Sequence, residues 1–193
     1  MELNQDSGEI FIPDNRSVDE ALAQTTHMGI GAHQDDLEIM ALSGILECFQ
    51  REDKGFCGVI VTDGSGSPRE DIYKEYTDEE MRKIRRIEQK KAALVGEYSA
   101  LALLDYPSSA VKGENKSAVT EDLSRLIKTA KPEVIFTHNL ADKHDTHVGV
   151  TLRVIEALRG LEVEDRPQKI YGCEVWRDLD WVVDEDKVTF DVS

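Results

Sequence analysis

The chain is predicted to fold as a Rossmann-like three-layer α/β sandwich with a mostly parallel sheet. Three features of the sequence point to this. Short β-branched, apolar runs recur along the chain. Each is followed by a longer amphipathic or charged stretch. The connections between them are short, which implies a sheet covered by helices on both faces.

Taken in order, 26–33 ("THMGIGAH") reads as the first buried strand and 36–52 as the helix after it. A second strand at 55–63 ends in the glycine- and serine-rich loop "GSGSPRE". A long charged helix follows over 78–95; Thr77 and Glu80 have the spacing of a capping box, and Gly96 stands at the exit. The third strand is 99–106. The next helix, 117–130, sets Val119, Leu123, Leu126, Ile127 and Ala130 on one face. Pro132 introduces a fourth strand, "EVIFTHN", and a helix over 147–159. "IYGCEVW" and "KVTFDV" read as late strands. No internal repeat or low-complexity linker interrupts the pattern, and 193 residues suit one domain over 1–193 with a substantial core.

Composition narrows the function. Lys and Arg total 23 against 39 Asp and Glu, a formal charge of −16. That balance argues against binding nucleic acid through its phosphates and against docking on an anionic membrane. The acidic N-terminus "MELNQDSGEIF" lacks the apolar core of a signal peptide. Cys48, Cys57 and Cys173 are scattered and form no C-x-x-C, so a reduced, cytoplasmic protein is the simplest expectation. A homo-oligomer is compatible with this composition.

Two clusters carry the chemistry. His33, Asp35 and Asp36 end the first strand, and "THNLADKHDTHVGV" (137–150) follows the fourth. Open α/β sheets bind ligands beyond the carboxyl ends of their strands, so two central parallel strands would bring these clusters together. His144 and His147 are three residues apart and share a face at a helix start. With His33 and Asp36 they offer imidazole nitrogens and a carboxylate, a set suited to zinc or ferrous iron. This is more than the three ligands of a catalytic zinc, and the surplus can serve as base and charge stabiliser. No cysteine joins either cluster, which disfavours a closed structural zinc site.

Other residues have plainer readings. His27, at the opposite end of the first strand, is expected to pack. His138 is expected to support the site from behind the ligands rather than to ligate. Asp63 and its loop fit an ordinary turn, although they lie at the active edge. "EEMRKIRRIEQKK" reads as a solvated helix face laced with acid–base pairs.

"AHQDDLE" and "DKHDTH" resemble the first and last motifs of the PIG-L/LmbE-like deacetylases, zinc enzymes that remove acetyl from N-acetylglucosaminyl compounds. Arg85, Glu88 and Ala92 match the R-x-x-E-x-x-x-A segment between them, and "VTDG" also fits. The resemblance runs in order over roughly 28 to 160. It implies zinc on His33, Asp36 and His147, with Asp35 as general base and His144 stabilising the oxyanion. It also implies substrate contact by Arg85, with Asp63 at the same edge, and a small N-acetylated partner such as a sugar conjugate.

Two positions depart from the family pattern. Gln34 replaces the usual proline, and Asp145-Thr146 stands where Pro-Asp is common, which leaves Asp142 or Asp145 to orient His144. Many family members continue past "DVS", so a further C-terminal segment is expected to be missing. The rival readings are a two-metal phosphoesterase using Asp36, Asp63 and the histidines, and a metal- or small-molecule-binding homologue with little catalysis.

Overall fold

The computed structural model describes residues 1–113 and 117–192. Its six strands are β1 (Glu9–Phe11), β2 (His27–Gly31), β3 (Phe56–Thr62), β4 (Ala100–Tyr106), β5 (Val134–His138) and β6 (Lys169–Cys173). They form one sheet in the order β1-β4-β3-β2-β5-β6. Only β1 runs antiparallel, against β4; every other pairing is parallel. The order reverses direction beside β2, where β3 lies on one side and β5 on the other. That is the switch point at which this architecture opens a crevice.

Helices cover both faces. Side chains at alternate strand positions, such as Met28, Ile30, Val59 and Leu104, pack with α1 (Val18–Ala23), α6 (Ser117–Ala130) and α7 (Asp145–Gly160). The other face, with Phe56, Ile60, Leu101 and Phe136, packs with α2 (Asp36–Met40), α3 (Leu42–Cys48) and α4 (Asp78–Val95). Gly29 brings the sheet close to α2: a Cβ there would lie 2.7 Å from Phe56 and 2.9 Å from Leu37. No helix among the described residues is long and apolar enough to cross a membrane.

Several boundaries differ from the sequence reading. The helix expected over 36–52 breaks at Ala41 into α2 and α3, and ends at Cys48. The helix expected from 147 starts at Asp145, with His144 as its N-cap. Residues 187–192 form no strand; Phe190 instead packs its ring on Tyr171 and Phe136. Before the expected first strand lie β1 and α1, the latter opened by a Ser17–Glu20 capping box.

The helix read as a solvated face is partly an interior one. Gln89 of α4 is buried, and Arg82 and Arg86 converge on the buried carboxylate of Asp105 at 2.6 and 3.2 Å. Arg86 and Lys90 also reach Glu9 on β1, at 2.9 and 2.6 Å. Thus α4, with few apolar residues inside, is held to the sheet edge largely by charge pairs. A short helix, α5 (Ser108–Lys112), follows β4 and packs near α7.

Candidate metal centre and active site

The two clusters do converge. The Nδ1 of His33 and the Nε2 of His147 are 3.2 Å apart, and the Oδ2 of Asp36 lies 3.4 Å from the former and 3.5 Å from the latter. Bonds of about 2.0–2.1 Å to a tetrahedral zinc would put neighbouring ligand atoms roughly 3.3–3.4 Å apart. The three donors therefore fit one such ion, in spacing and in chemistry. His144 extends the group, since His33, His144 and His147 form one cluster of potential ligands and Asp36, His138 and His147 another.

Each donor is fixed by its surroundings. Asp36 is buried and its Oδ2 accepts the backbone N–H of His33 at 2.7 Å. Burial pushes its carboxyl up, but the facing imidazoles of His138 and His33 outweigh this and hold it well below the usual carboxylate range. His147 is buried, and burial together with the neighbouring His138 lowers its pKa against the pull of Asp36 and Asp142. A neutral imidazole is the form that binds a metal. Its Nδ1 lies 2.7 Å from Oδ2 of Asp142, which leaves Nε2 facing the site. Asp142 also accepts the backbone N–H of His144 through Oδ1, at 2.8 Å.

His144 is oriented differently from the sequence expectation. Asp142 grips the His147 ring, and the carboxylate of Asp145 lies 3.7 Å from Nδ1 of His144 while pairing with Lys112 at 3.2 Å. The Nδ1 of His144 accepts the backbone N–H of Thr146 at 3.2 Å, so a neutral ring carries its proton on Nε2. The ring stacks on His147 at 4.5 Å and 13°, and His147 stacks in turn on His138 at 3.8 Å and 14°. His138 is buried, and its Nε2 lies 2.9 Å from the backbone N–H of Ala32. That lone pair is thus already engaged.

Asp35 sits beside the triad with a left-handed backbone, φ 79°. Its carboxylate is 65 % exposed and pairs with Arg85 at 2.7 Å. Arg85 also donates to the Gln34 carbonyl at 2.8 Å and to Glu88 at 2.6 Å. Arg85 lines the cleft, but its guanidinium is directed to Asp35. Asp63 accepts the N–H of Ser65 at 3.0 Å and faces Arg82 at 3.7 Å, the arrangement of a turn. Gly64, with φ 72°, lines the cleft in its place. His27 lies at the far end of β2, against Glu47 at 3.3 Å and near the Phe136 ring.

Above the triad opens a cleft of about 600 Å³. Its walls include two aromatic residues that the sequence reading did not single out, Tyr73 and Trp176. No spacing rule marks either one.

The model of the PIG-L family, described as GlcNAc-PI de-N-acetylase, matches residues 28–158, which span both clusters and more than half of the chain. The chain belongs to the PIG-L family. No curated protein matches it significantly. Among solved structures, it resembles the N,N'-diacetylchitobiose deacetylase from Pyrococcus horikoshii, with TM-score 0.59 and 18% identity over 88% of this chain and 60% of that one. GalB, the 4-carboxy-2-hydroxymuconate hydratase from Pseudomonas putida KT2440, aligns with TM-score 0.58 and 21% identity, over 77% of this chain and 62% of that one. The deacetylase Dbv21, acting on A40926 pseudoaglycone, aligns with TM-score 0.55 and 18% identity, over 70% and 60%. At such identities the likeness shows the fold, here shared by deacetylases and a hydratase. The chain spans about 60% of the length of these neighbours.

Proposed function

We propose that the chain is a zinc-dependent hydrolase that removes an N-acetyl group from an N-acetylglucosamine-type or related amide substrate. The observation that carries this reading is the spacing of His33 Nδ1, Asp36 Oδ2 and His147 Nε2, 3.2 to 3.5 Å apart, in a cleft that Asp35 also lines. These three residues would hold the metal. A zinc there supplies Lewis acidity and makes a water acidic enough to attack at neutral pH.

The remaining chemistry falls to the chain's own groups. Asp35 takes a proton from the attacking water as its oxygen adds to the acetyl carbon. His144, with its proton on Nε2, donates a hydrogen bond to the oxyanion of the tetrahedral intermediate. When the C–N bond breaks, the proton held by Asp35 passes to the leaving nitrogen, and acetate and a free amine depart. Arg85 holds the Asp35 carboxylate in the resting state and lies where a substrate hydroxyl can compete for its donors. The rings of Tyr73 and Trp176 suit a substrate with an apolar ring face, as a pyranose has.

A two-metal phosphoesterase has less support. Asp63, which would have to reach a second ion, does not line the cleft and faces Arg82 instead, and the Nε2 of His138 is engaged by the Ala32 N–H. The test is acetate release from a panel of N-acetylated sugars and simple amides, with zinc supplied or chelated. Zinc-dependent release from an amino-sugar amide is expected. Phosphate release from phosphomonoesters without any deacetylation would overturn the proposal.

A further inference from the structure

Asp35 is held from two sides by α4, and only one of those contacts lies in a family motif. One turn beyond Arg85, the side chain of Gln89 is buried and its Oε1 accepts the backbone N–H of Asp35 at 3.2 Å. Its Nε2 donates to Oε1 of Glu38 at 2.8 Å, and the same oxygen accepts the hydroxyl of Tyr98 at 2.7 Å. A carboxylate only accepts, so Glu38 compels the NH₂ of Gln89 to face it. The Gln89 carbonyl must then face Asp35. Tyr98, buried beside Glu38, keeps its proton and remains a donor, because burial and that carboxylate both raise its pKa.

The backbone of Asp35 needs such a hold. Its φ of 79° is one that a residue with a Cβ adopts only when its surroundings impose it. In that conformation Asp36 turns into the metal triad while the Asp35 carboxylate turns to the cleft. We infer that Gln89, steered by Glu38 and Tyr98, is the positioning residue that holds Asp35 in the geometry of a base. This rests on the deacetylase reading for its consequence, but not for the contact itself.

The experiment compares Gln89→Leu, Gln89→Glu and the reciprocal double variant Glu38→Gln with Gln89→Glu, measuring kcat, KM, zinc per chain and hydrogen exchange at the Asp35 amide. Gln89→Leu should keep its zinc, exchange the Asp35 amide faster and lose about 10–100-fold in kcat with KM little changed, as misplaced catalytic groups do. Gln89→Glu sets two carboxylates face to face and should lose as much. In the double variant the amide introduced at position 38 donates one N–H to the carboxylate introduced at position 89, which still accepts from Asp35, and its other N–H to the oxygen of Tyr98, whose O–H turns away. Its kcat should return to within about threefold of wild type. Wild-type kcat in Gln89→Leu, or a folded, zinc-loaded double variant no faster than Gln89→Glu, would overturn the inference. If wild-type protein released no acetate from any amide, the functional reading would fall and the exchange measurement would decide alone. Unchanged exchange at Asp35 in Gln89→Leu would then refute the relay, and faster exchange would sustain it.

Discussion

Asp142 lies 2.7 Å from Nδ1 of His147, and this contact determines which nitrogen of that buried ring is free for a metal. The sequence offered Asp142 as a partner for His144. Its place on His147 makes it the residue that fixes ring orientation and tautomer at the least exposed imidazole donor of the triad.

Asp142→Ala should therefore weaken zinc binding about 10–100-fold, as removal of a carboxylate behind a ligating histidine typically does. Competition against a chelator of known affinity measures it. Undiminished affinity would mean that His147 is not a ligand or is oriented by something else.

The Arg85–Asp35 pair changes what a substitution at Arg85 should do. A residue that only held the sugar would affect KM. Because its guanidinium sits 2.7 Å from the Asp35 carboxylate, Arg85→Ala should lower kcat as well as raise KM. Steady-state kinetics with the best amide substrate separates the two effects. A rise in KM with kcat unchanged would return Arg85 to a purely substrate-holding role.

Asp145, by contrast, is exposed and pairs with Lys112 at the surface. Such pairs contribute little. Asp145→Ala should leave turnover within about twofold of wild type, whereas His144→Ala should reduce it by about 10²-fold or more, the scale of a lost oxyanion donor. Equal losses in the two variants would show that Asp145 orients His144 after all.

Acid sensitivity follows from the buried histidines. Burial lowers the pKa of His27 despite the nearby Glu47. The unfolded chain then binds this proton more readily than the folded one, so stability is present above the unfolded pKa near 6.5 and declines as pH falls below it. His27→Gln should flatten part of that decline in Tm between about pH 6.5 and 5. A steeper decline in the variant would contradict a His27 pKa lowered by folding.

Much of this molecule was legible because its signals are local. The capping box at Thr77 and Glu80 and the apolar face of 117–130 mark α4 and α6 at their observed limits. The same box at Ser17 and Glu20 opens α1, but that helix has only six residues, too few to show a periodic apolar face. β1 has three residues, too few to show alternation. No glycine or proline stands at Ala41 to announce the break between α2 and α3. "KVTFDV" alternates like a strand, yet its Phe190 covers Tyr171 instead of joining the sheet edge.

At the site, strand ends and an H-x-x-H spacing were enough to bring His33, Asp36, His144 and His147 together. What spacing does not carry is the partner of a polar side chain 50 residues away. Arg85 on Asp35, and Gln89 between Asp35 and Glu38, depend on how α4 is rotated against the carboxyl end of β2. The same rotation turns Arg82 and Arg86 onto Asp105, a tertiary contact invisible in a helix that reads as solvated.

The proposed mechanism divides the labour of an adjacent pair, with Asp36 as ligand and Asp35 as base. The direct measurement is zinc per chain and deacetylation rate for Asp35→Asn and Asp36→Ala, side by side. Asp35→Asn should keep its zinc and lose on the order of 10²–10⁴ in rate, roughly 3–5 kcal/mol of barrier, while Asp36→Ala should lose both metal and activity. Asp35→Asn losing the metal while Asp36→Ala retains it, or Asp35→Asn turning over at the wild-type rate, would contradict this assignment of roles.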